Sequence, residues 1–368
     1  MKRLVPLLMA AILSALSAMP ALADDAGTAG GVYTMSNAAS GNAVIAYRRS
    51  ADGALTHIGD FLTGGRGSGV PRLSTQGSVT LSADHRWLLV TNVGSDDVSV
   101  FSIDGDATPH LVEREPSRGD APASVTLHGD LVYVLNQDSD TIDGFRLDAG
   151  GQLTRIPGAR GRLSRGADGA QVQFNPGGTA LIVTEKATNL IDTFEVLPSG
   201  RLAKGQAFPS AGATPFGLAF DTPDHFVVTE AQGGIVGAAT ASSYSVGADA
   251  ALTVVSGAVP DFRSEVCWTA ISNGYAYVTN FGSGDISSYR INGDGTISLF
   301  QSIATATSVD IGGFGPRDED FSADGRYLYL IDIATGRVHA FLQNADGTLT
   351  DLGAFGALPT TVAGTAAY

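Results

Sequence analysis

Ser78-Val79-Thr80-Leu81-Ser82-Ala83-Asp84, Trp87-Leu88-Leu89-Val90-Thr91-Asn92 and Asp97-Val98-Ser99-Val100-Phe101 are three short β-rich runs separated by turns. β-branched and aromatic residues alternate within each run, which marks strands rather than helices. The same phrase returns as Ser124–Leu127, Leu131–Asn136 and Thr141–Phe145, closed by Gly151-Gln152-Leu153-Thr154. It returns again as Asp320–Gly325, Tyr327–Asp332 and Val338–Phe341, closed by Asp346-Gly347-Thr348-Leu349-Thr350. The unit is therefore strand, tight turn, strand ending in Asn or an acid, short loop, strand, turn, and a fourth strand opening on Leu-Thr.

Aligning the residue that ends the second strand gives Asn37, Asn92, Asn136, Glu185, Glu230, Asn280 and Asp332, at intervals of 55, 44, 49, 45, 50 and 52 residues. Seven such copies, each with four short β-runs, predict an all-β chain: a seven-bladed β-propeller with four-stranded blades. A β-sandwich or solenoid is the rival, and the count of seven favours the closed ring. Asp52-Gly53, Asp294-Gly295, Asp324-Gly325 and Asp346-Gly347 supply the positive φ of tight hairpins, so the 47 glycines read mainly as turn chemistry. The first copy opens directly on Val32–Asn37 and lacks a strand before it. Leu358–Ala366 reads as that missing strand, so the C-terminus should complete blade 1 and remove an unpaired edge.

The N-terminus has a basic Met1-Lys2-Arg3, a largely apolar Leu4–Leu16 and a small-x-small Ala21-Leu22-Ala23 before Asp24. This layout predicts a signal peptide over residues 1–23 and export to the periplasm or medium. The alternative, a membrane anchor, needs a longer apolar stretch. Residues 24–368 then form one propeller domain. Loss of the leader removes Lys2 and Arg3 and no acid, taking the formal net charge from −15 to −17. With no cluster of Lys and Arg, nucleic acid and anionic membranes are not expected partners. Cys267 is the sole cysteine, which excludes an intrachain disulfide and a cysteine-based zinc site. No membrane span is expected in the mature chain.

Gln76–Asp84, the recurring Asp-Gly-x-Leu-Thr, Thr184–Phe194 and Thr214-Pro215-Phe216-Gly217 resemble the lactonase family of seven-bladed propellers, which includes 6-phosphogluconolactonase-like and carboxymuconate-cyclase-like members. The likeness covers almost the whole mature chain, which closely resembles an exported branch of that family. It implies a small-molecule ligand, a lactone in the first instance, and no cofactor.

In a propeller the inner strand of each blade lines the central tunnel, and the loops entering the inner strands open on one face. The residues there form a ring around a ready-made pocket. Catalytic expectations fall on Glu265 and Arg317, and substrate-binding expectations on Gln76, Ser124, Gln171, Phe216, Trp268 and Asp318. The resemblance implies a His, two Arg and a Glu around this mouth. Glu265 falls on the acid and Arg317 on one arginine, while Ala170 stands at the His position and Phe216 at the second Arg. That depletes the cations a phosphorylated or tricarboxylate substrate needs. Glu265 as general base and Arg317 as oxyanion stabiliser would suit lactone hydrolysis, or lactonisation in reverse. Equally, the two could form an ion pair between blades 6 and 7 in a propeller that only binds a ligand or protein.

No metal is expected. The ring from Asn37 to Asp332 offers oxygen ligands, but Asn and Asp at repeat positions close hairpins through their own side chains. The six histidines show no zinc spacing. Gly65-Arg66-Gly67-Ser68-Gly69 lacks the strand-to-helix setting of a nucleophile elbow. Cys267, at the start of an inner strand, reads as a buried thiol. The Gly- and Ala-rich stretch between Glu230 and Ser243 reads as an insert, either a lid or a contact surface.

Overall fold

The computed structural model describes residues 28–308 and 315–368. The leader expected over residues 1–23 lies outside them. Seven four-stranded antiparallel sheets are present, one per blade. In blades 2 to 7 the strands run from the inside outward in chain order, mostly joined by short turns, with longer links from Glu195 to Gln206 in blade 4 and from Glu230 to Thr240 in blade 5. Among the described residues only Gln232–Gly234 forms a helical turn, and no helix is long and apolar enough to cross a membrane.

The second strands Trp87–Asn92, Leu131–Asn136 and Tyr327–Asp332 fall where the sequence puts them. They are central in their sheets and covered by neighbouring blades on both faces, which is why they read as continuous apolar runs. Outer strands are different: Leu55–Leu62 and Pro109–Pro116 carry Thr, His, Glu and Arg on a partly exposed edge. The expected turn glycines do adopt positive φ, 88° at Gly53 and 84° at Gly347.

Tyrosines stitch successive blades together. Tyr33 of blade 1 donates its hydroxyl to Ala107 O of blade 2 at 2.9 Å, Tyr277 of blade 6 to Gly347 O of blade 7 at 2.8 Å, and Tyr329 of blade 7 to Gly53 O of blade 1 at 2.9 Å. Each buries a large ring between two sheets and satisfies its polar tip on the next blade's hairpin.

Blade 1 is closed by the C-terminus, in the strand order Ala363–Ala367, Gly30–Met35, Ala43–Arg49, Leu55–Leu62. The closing strand pairs Ala366 with Tyr33 and Ala363 with Met35. It is shorter than its sequence suggests. Leu358–Val362 is an approach segment, anchored by Leu358 N donating to Gly336 O and Thr361 Oγ1 to Ser36 O.

Candidate functional site

One backbone device builds the tunnel mouth in blade after blade. The residue preceding the inner strand takes a left-handed conformation, with φ 55° at Ala121, 50° at Asp168, 60° at Thr214 and 53° at Glu265. Its carbonyl accepts from the residue just past the second strand: Gln137 N, Lys186 N, Ala231 N and Phe281 N, respectively. The conformation at Glu265 is thus a repeat feature. What sets Glu265 apart is its side chain. By the same device Asp168 and Lys186 of blade 4 reach the mouth together.

A second contribution comes from outside the repeat. The connector between blades 1 and 2 runs from Thr63 to Ser78 and turns in across the tunnel. Gln76 N donates to Ala170 O of blade 4, and its side chain makes two bonds to the Thr269 backbone of blade 6, at 2.8 and 3.1 Å. Trp268 Nε1 donates to Thr75 O at 2.8 Å, and Lys186 Nζ to Ser74 O at 2.6 Å. Gly217 makes this crossing feasible. A Cβ there would stand 2.2 Å from Gln76 Oε1 and 2.7 Å from Cys267 O. The crossing divides the tunnel into a mouth cavity of about 330 Å³ and a lower chamber of about 390 Å³, and no residue lines both.

The mouth is lined by Arg72, Ser74, Asp168, Lys186, Phe216, Glu265 and Cys267, together with small residues of blades 4 and 5. Arg72 Nη2 lies 3.4 Å from Glu265 Oε1, whose side chain is 26% exposed. Lys186 Nζ lies 3.2 Å from Asp168 Oδ1. Burial pulls the Lys186 ammonium below the usual lysine range, against the opposing pull of Asp168. Beneath sits an aromatic floor, Phe216 against Trp268 at 5.0 Å and Trp268 against Phe281 at 6.1 Å. Three cations lie against it: Lys186 over Phe216 at 5.3 Å, Arg72 over Phe281 at 4.6 Å, and Arg317 over both Phe281 and Trp268. The mouth thus holds two ion pairs, Arg72 with Glu265 and Lys186 with Asp168, over an aromatic floor that Arg317 backs from below.

Glu265 stands at the mouth, as its place in the repeat requires. Arg317 does not reach it. It is 1% exposed, donates Nη1 to Val362 O, and has no carboxylate in ion-pair contact among the described residues. Burial lowers its guanidinium to about 10. The ion pair considered between Glu265 and Arg317 is replaced by Glu265 with Arg72. Of the six residues expected to bind substrate, Phe216 alone lines the mouth, while Gln76, Gln171 and Asp318 line the lower chamber. Polar atoms of four of the six are engaged in the ring: Gln76 and Trp268 as above, Ser124 Oγ accepting from Val172 N, and Gln171 Oε1 from Leu218 N.

Arg72, Lys186 and Asp168 were not singled out from sequence. Arg72 sits in a connector that has no repeat phase. Lys186 was legible, because it is the only cation among the residues following the second strands: Ala38, Val93, Gln137, Lys186, Ala231, Phe281 and Ile333. The residues ending those strands turn away from the tunnel. Asn92 donates to Asp97 and Ser99, and Asn280 to Asp285 and Ser287, fastening the second strand to the third. Burial pushes the Cys267 thiol up to about 12, which removes its nucleophilic form at neutral pH. The insert after Glu230 borders the mouth through Gly233 and Gly234 and exposes Ile235 and Val236 beside it.

Fold and site together define a closed seven-bladed propeller with a cavity at the inner-strand entrances. The chain belongs to the family described as lactonase, 7-bladed beta-propeller, which it matches over residues 30–160 and 269–368. It is 23% identical over 164 residues, 42% of its length, to a 6-phosphogluconolactonase of Yersinia pestis, and it spans about half the length (49%) of that curated relative. Among solved structures it resembles a protein from Lactobacillus plantarum (TM-score 0.74, 18% identity, 92% of this chain and 99% of that one). It also resembles a periplasmic gluconolactonase of Pseudomonas aeruginosa (TM-score 0.67, 15% identity, 92% and 98%). At such identities these structures speak to the fold. The family match leaves out the stretch between residues 160 and 269, and that stretch carries Asp168, Lys186, Phe216, Glu265 and Cys267.

Proposed function

We propose that the protein hydrolyses a lactone bearing an anionic group, at the mouth cavity, with Glu265 as general base. The observation that carries this is the Arg72–Glu265 pair at 3.4 Å on a cavity floor that also holds Lys186. A carboxylate that can take a proton stands beside cations that can hold negative charge, the minimum for acyl transfer to water. Glu265 takes a proton from water as the water oxygen bonds to the lactone carbonyl carbon. The carbonyl oxygen becomes an oxyanion held by the Arg72 guanidinium. When the ring C–O bond breaks, the leaving alkoxide recovers the proton from Glu265, and the product is the open hydroxy acid.

Lys186 is fixed by Ser74 and Asp168, so its charge is placed before substrate arrives, and it suits a carboxylate or phosphate on the substrate. Arg317 acts from below, as a buried positive charge that props the aromatic floor. The cations that Ala170 and Phe216 fail to supply are thus replaced from other positions. Replacement also implies that the substrate differs from those of relatives built on the His and second Arg.

Removing a positioned general base costs about 10²- to 10⁴-fold in rate. Glu265→Gln should therefore lose at least about 100-fold in kcat on any lactone the wild type turns over, with an unchanged melting temperature. Wild-type turnover in that variant rejects Glu265 as base. The second reading, a propeller that binds a ligand without turning it over, is favoured by Ala170 at the family's His position. It is the outcome if a correctly folded sample binds anionic lactones at the mouth and hydrolyses none.

A further inference from the structure

In blades 2, 3 and 6 the asparagine that ends the second strand donates to the third-strand residue seven places on. Asn92 donates to Ser99 Oγ at 2.8 Å, Asn136 to Asp143 Oδ2 at 3.3 Å and Asn280 to Ser287 Oγ at 2.7 Å. In blade 5, after its longer link, the Ser242 hydroxyl donates to Glu230 Oε1 at 2.5 Å. Blade 7 offers an acid and an imidazole, Asp332 and His339. Each of these pairs is complementary.

Blade 4 sets two acids at the same two positions, Glu185 and Asp192. Glu185 is fully buried, Asp192 is 5% exposed, and the two carboxyls are within hydrogen-bond reach of each other. Neither joins an ion pair among the described residues: Lys186, next along the chain, pairs with Asp168, and Arg160 of blade 3 with Asp143. Two ionised carboxylates placed in this way repel without compensation, so the pair keeps one proton. The hydrogen bonds fix where that proton sits. Glu185 Oε1 accepts from Ser164 N at 2.8 Å and Oε2 from the Thr188 hydroxyl, as a carboxylate does. Asp192 Oδ1 has no partner among the described residues, so Asp192 is the protonated acid and donates to Glu185.

Glu185 thereby fastens a segment that leads into the mouth. Ser164 opens the approach to Asp168, whose carbonyl accepts from Lys186 N and whose carboxylate pairs with Lys186 Nζ at 3.2 Å. Other charged groups surround the pair. Asp140 accepts from Gly166 N and Ala167 N of the same segment. Arg160, Arg162 and Lys204 share with Asp192 a cavity of about 420 Å³ on the flank between blades 3 and 4, where Asp192 can be solvated once it is charged.

We propose that Glu185 and Asp192 form a one-proton clasp, and that loss of the proton loosens the Ser164–Asp168 segment and with it the anion site at Lys186. The clasp is independent of the lactonase reading, while its effect at the mouth rests on that reading's role for Lys186. Burial, with Glu185 adjacent, raises Asp192 to about 8, so the switch lies on the alkaline side of neutral.

The test is melting of wild type, Asp192→Asn and Asp192→Ser from pH 5 to 9. Sodium sulfate, an anion of constant charge over that range, is titrated into each by calorimetry, counting only the binding that Lys186→Met abolishes. Asp192→Ser reproduces the Glu–Ser pair of blade 5 and Asp192→Asn supplies an amide, so either gives Glu185 a donor with no proton to lose. A carboxyl raised above its unfolded value stabilises at low pH and loses that contribution as pH rises to the folded value. Each variant should therefore gain on wild type by up to about tenfold in folding constant per pH unit from pH 5 to about 8, and no further above it. Above about pH 8 the wild type should lose sulfate affinity faster than either variant, beyond the decline that Lys186 deprotonation gives all three. A folded variant whose gap to wild type is flat across the range overturns the shared proton. Sulfate affinities that fall in parallel, or sulfate that does not bind, overturn the coupling to the mouth. Absence of lactone turnover defeats the lactonase reading and leaves both readouts standing.

Discussion

At the residue scale the site depends on a few close approaches that composition does not advertise. Gly217 lies in the Thr214-Pro215-Phe216-Gly217 motif, and its missing Cβ is what lets Gln76 and the blade 6 backbone meet across the tunnel. Gly217→Ala should therefore cost about 1–3 kcal/mol through overpacking. It should also open the mouth into the lower chamber, since Gln76 must yield first. Urea unfolding measures the first effect, and a midpoint equal to wild type would show that the crossing is not held as described. The same scale explains what sequence could and could not reveal of the site. Glu265 was legible because it precedes an inner strand in phase with six others. Arg72 was not, because a connector has no period to place it. Lys186 lay in between, quoted within a family-like motif yet recognisable as a mouth residue only once the position after each second strand is compared across blades. Gln76, Ser124 and Trp268 show the reverse: polar residues at the right height in the ring whose hydrogen bonds are consumed in joining blades.

At the element scale, strands were readable where two neighbours and a tight turn constrain them. Tyr327–Asp332 alternates little yet is bounded by Asp324-Gly325 and by Asp332, and it occupies the span its pattern gives. The closing strand was harder to delimit. Ala363-Gly364-Thr365-Ala366-Ala367 has small side chains because it is the inner strand at a crowded axis; a Cβ on Gly364 would come 2.6 Å from Ser78 Oγ and Val79 Cγ2. Such a strand carries no apolar alternation to mark its ends. Its contribution is nonetheless large, because it pairs with Gly30–Met35 and Tyr368 stacks on His85 at 4.7 Å. An average segment of this length contributes about 1–2 kcal/mol. Deleting residues 357–368 should cost several times that, by exposing both the Gly30–Met35 edge and the flank of blade 7. A melting temperature unchanged by the truncation contradicts closure through the C-terminus.

At the scale of the whole molecule, the acidity of the chain has two faces. Exposed turn aspartates such as Asp52, Asp294 and Asp346 are held below the usual carboxylate range, chiefly by hydrogen bonds from Ser50, Thr296 and Thr348. Buried carboxyls go the other way. Burial raises Asp143, Asp192, Glu230, Asp318 and Glu319, takes Asp261 to about 6 and takes Asp320 to about 7. A carboxyl whose folded pKa exceeds its unfolded value, about 4, leaves the native state with more bound protons between the two. Stability then falls as pH rises through the folded value. The melting temperature should be highest in mildly acidic solution and decline from pH 5 to 7, between the unfolded value and the folded values of Asp261 and Asp320. A melting temperature that climbs steadily over that range contradicts the placement of these groups.

Whether the cations at the mouth act on an anionic lactone is measured most directly by kcat/KM for a lactone pair differing only in an appended phosphate or carboxylate. Wild type, Arg72→Ala, Lys186→Met and Glu265→Gln are compared by pH-stat. The wild type should prefer the anionic member, and Lys186→Met should lose most of that preference while still hydrolysing the neutral one. Arg72→Ala and Glu265→Gln should lose turnover on both. Equal rates for the two lactones in the wild type, or a preference that survives Lys186→Met unchanged, would contradict a role for the mouth cations in binding the anion.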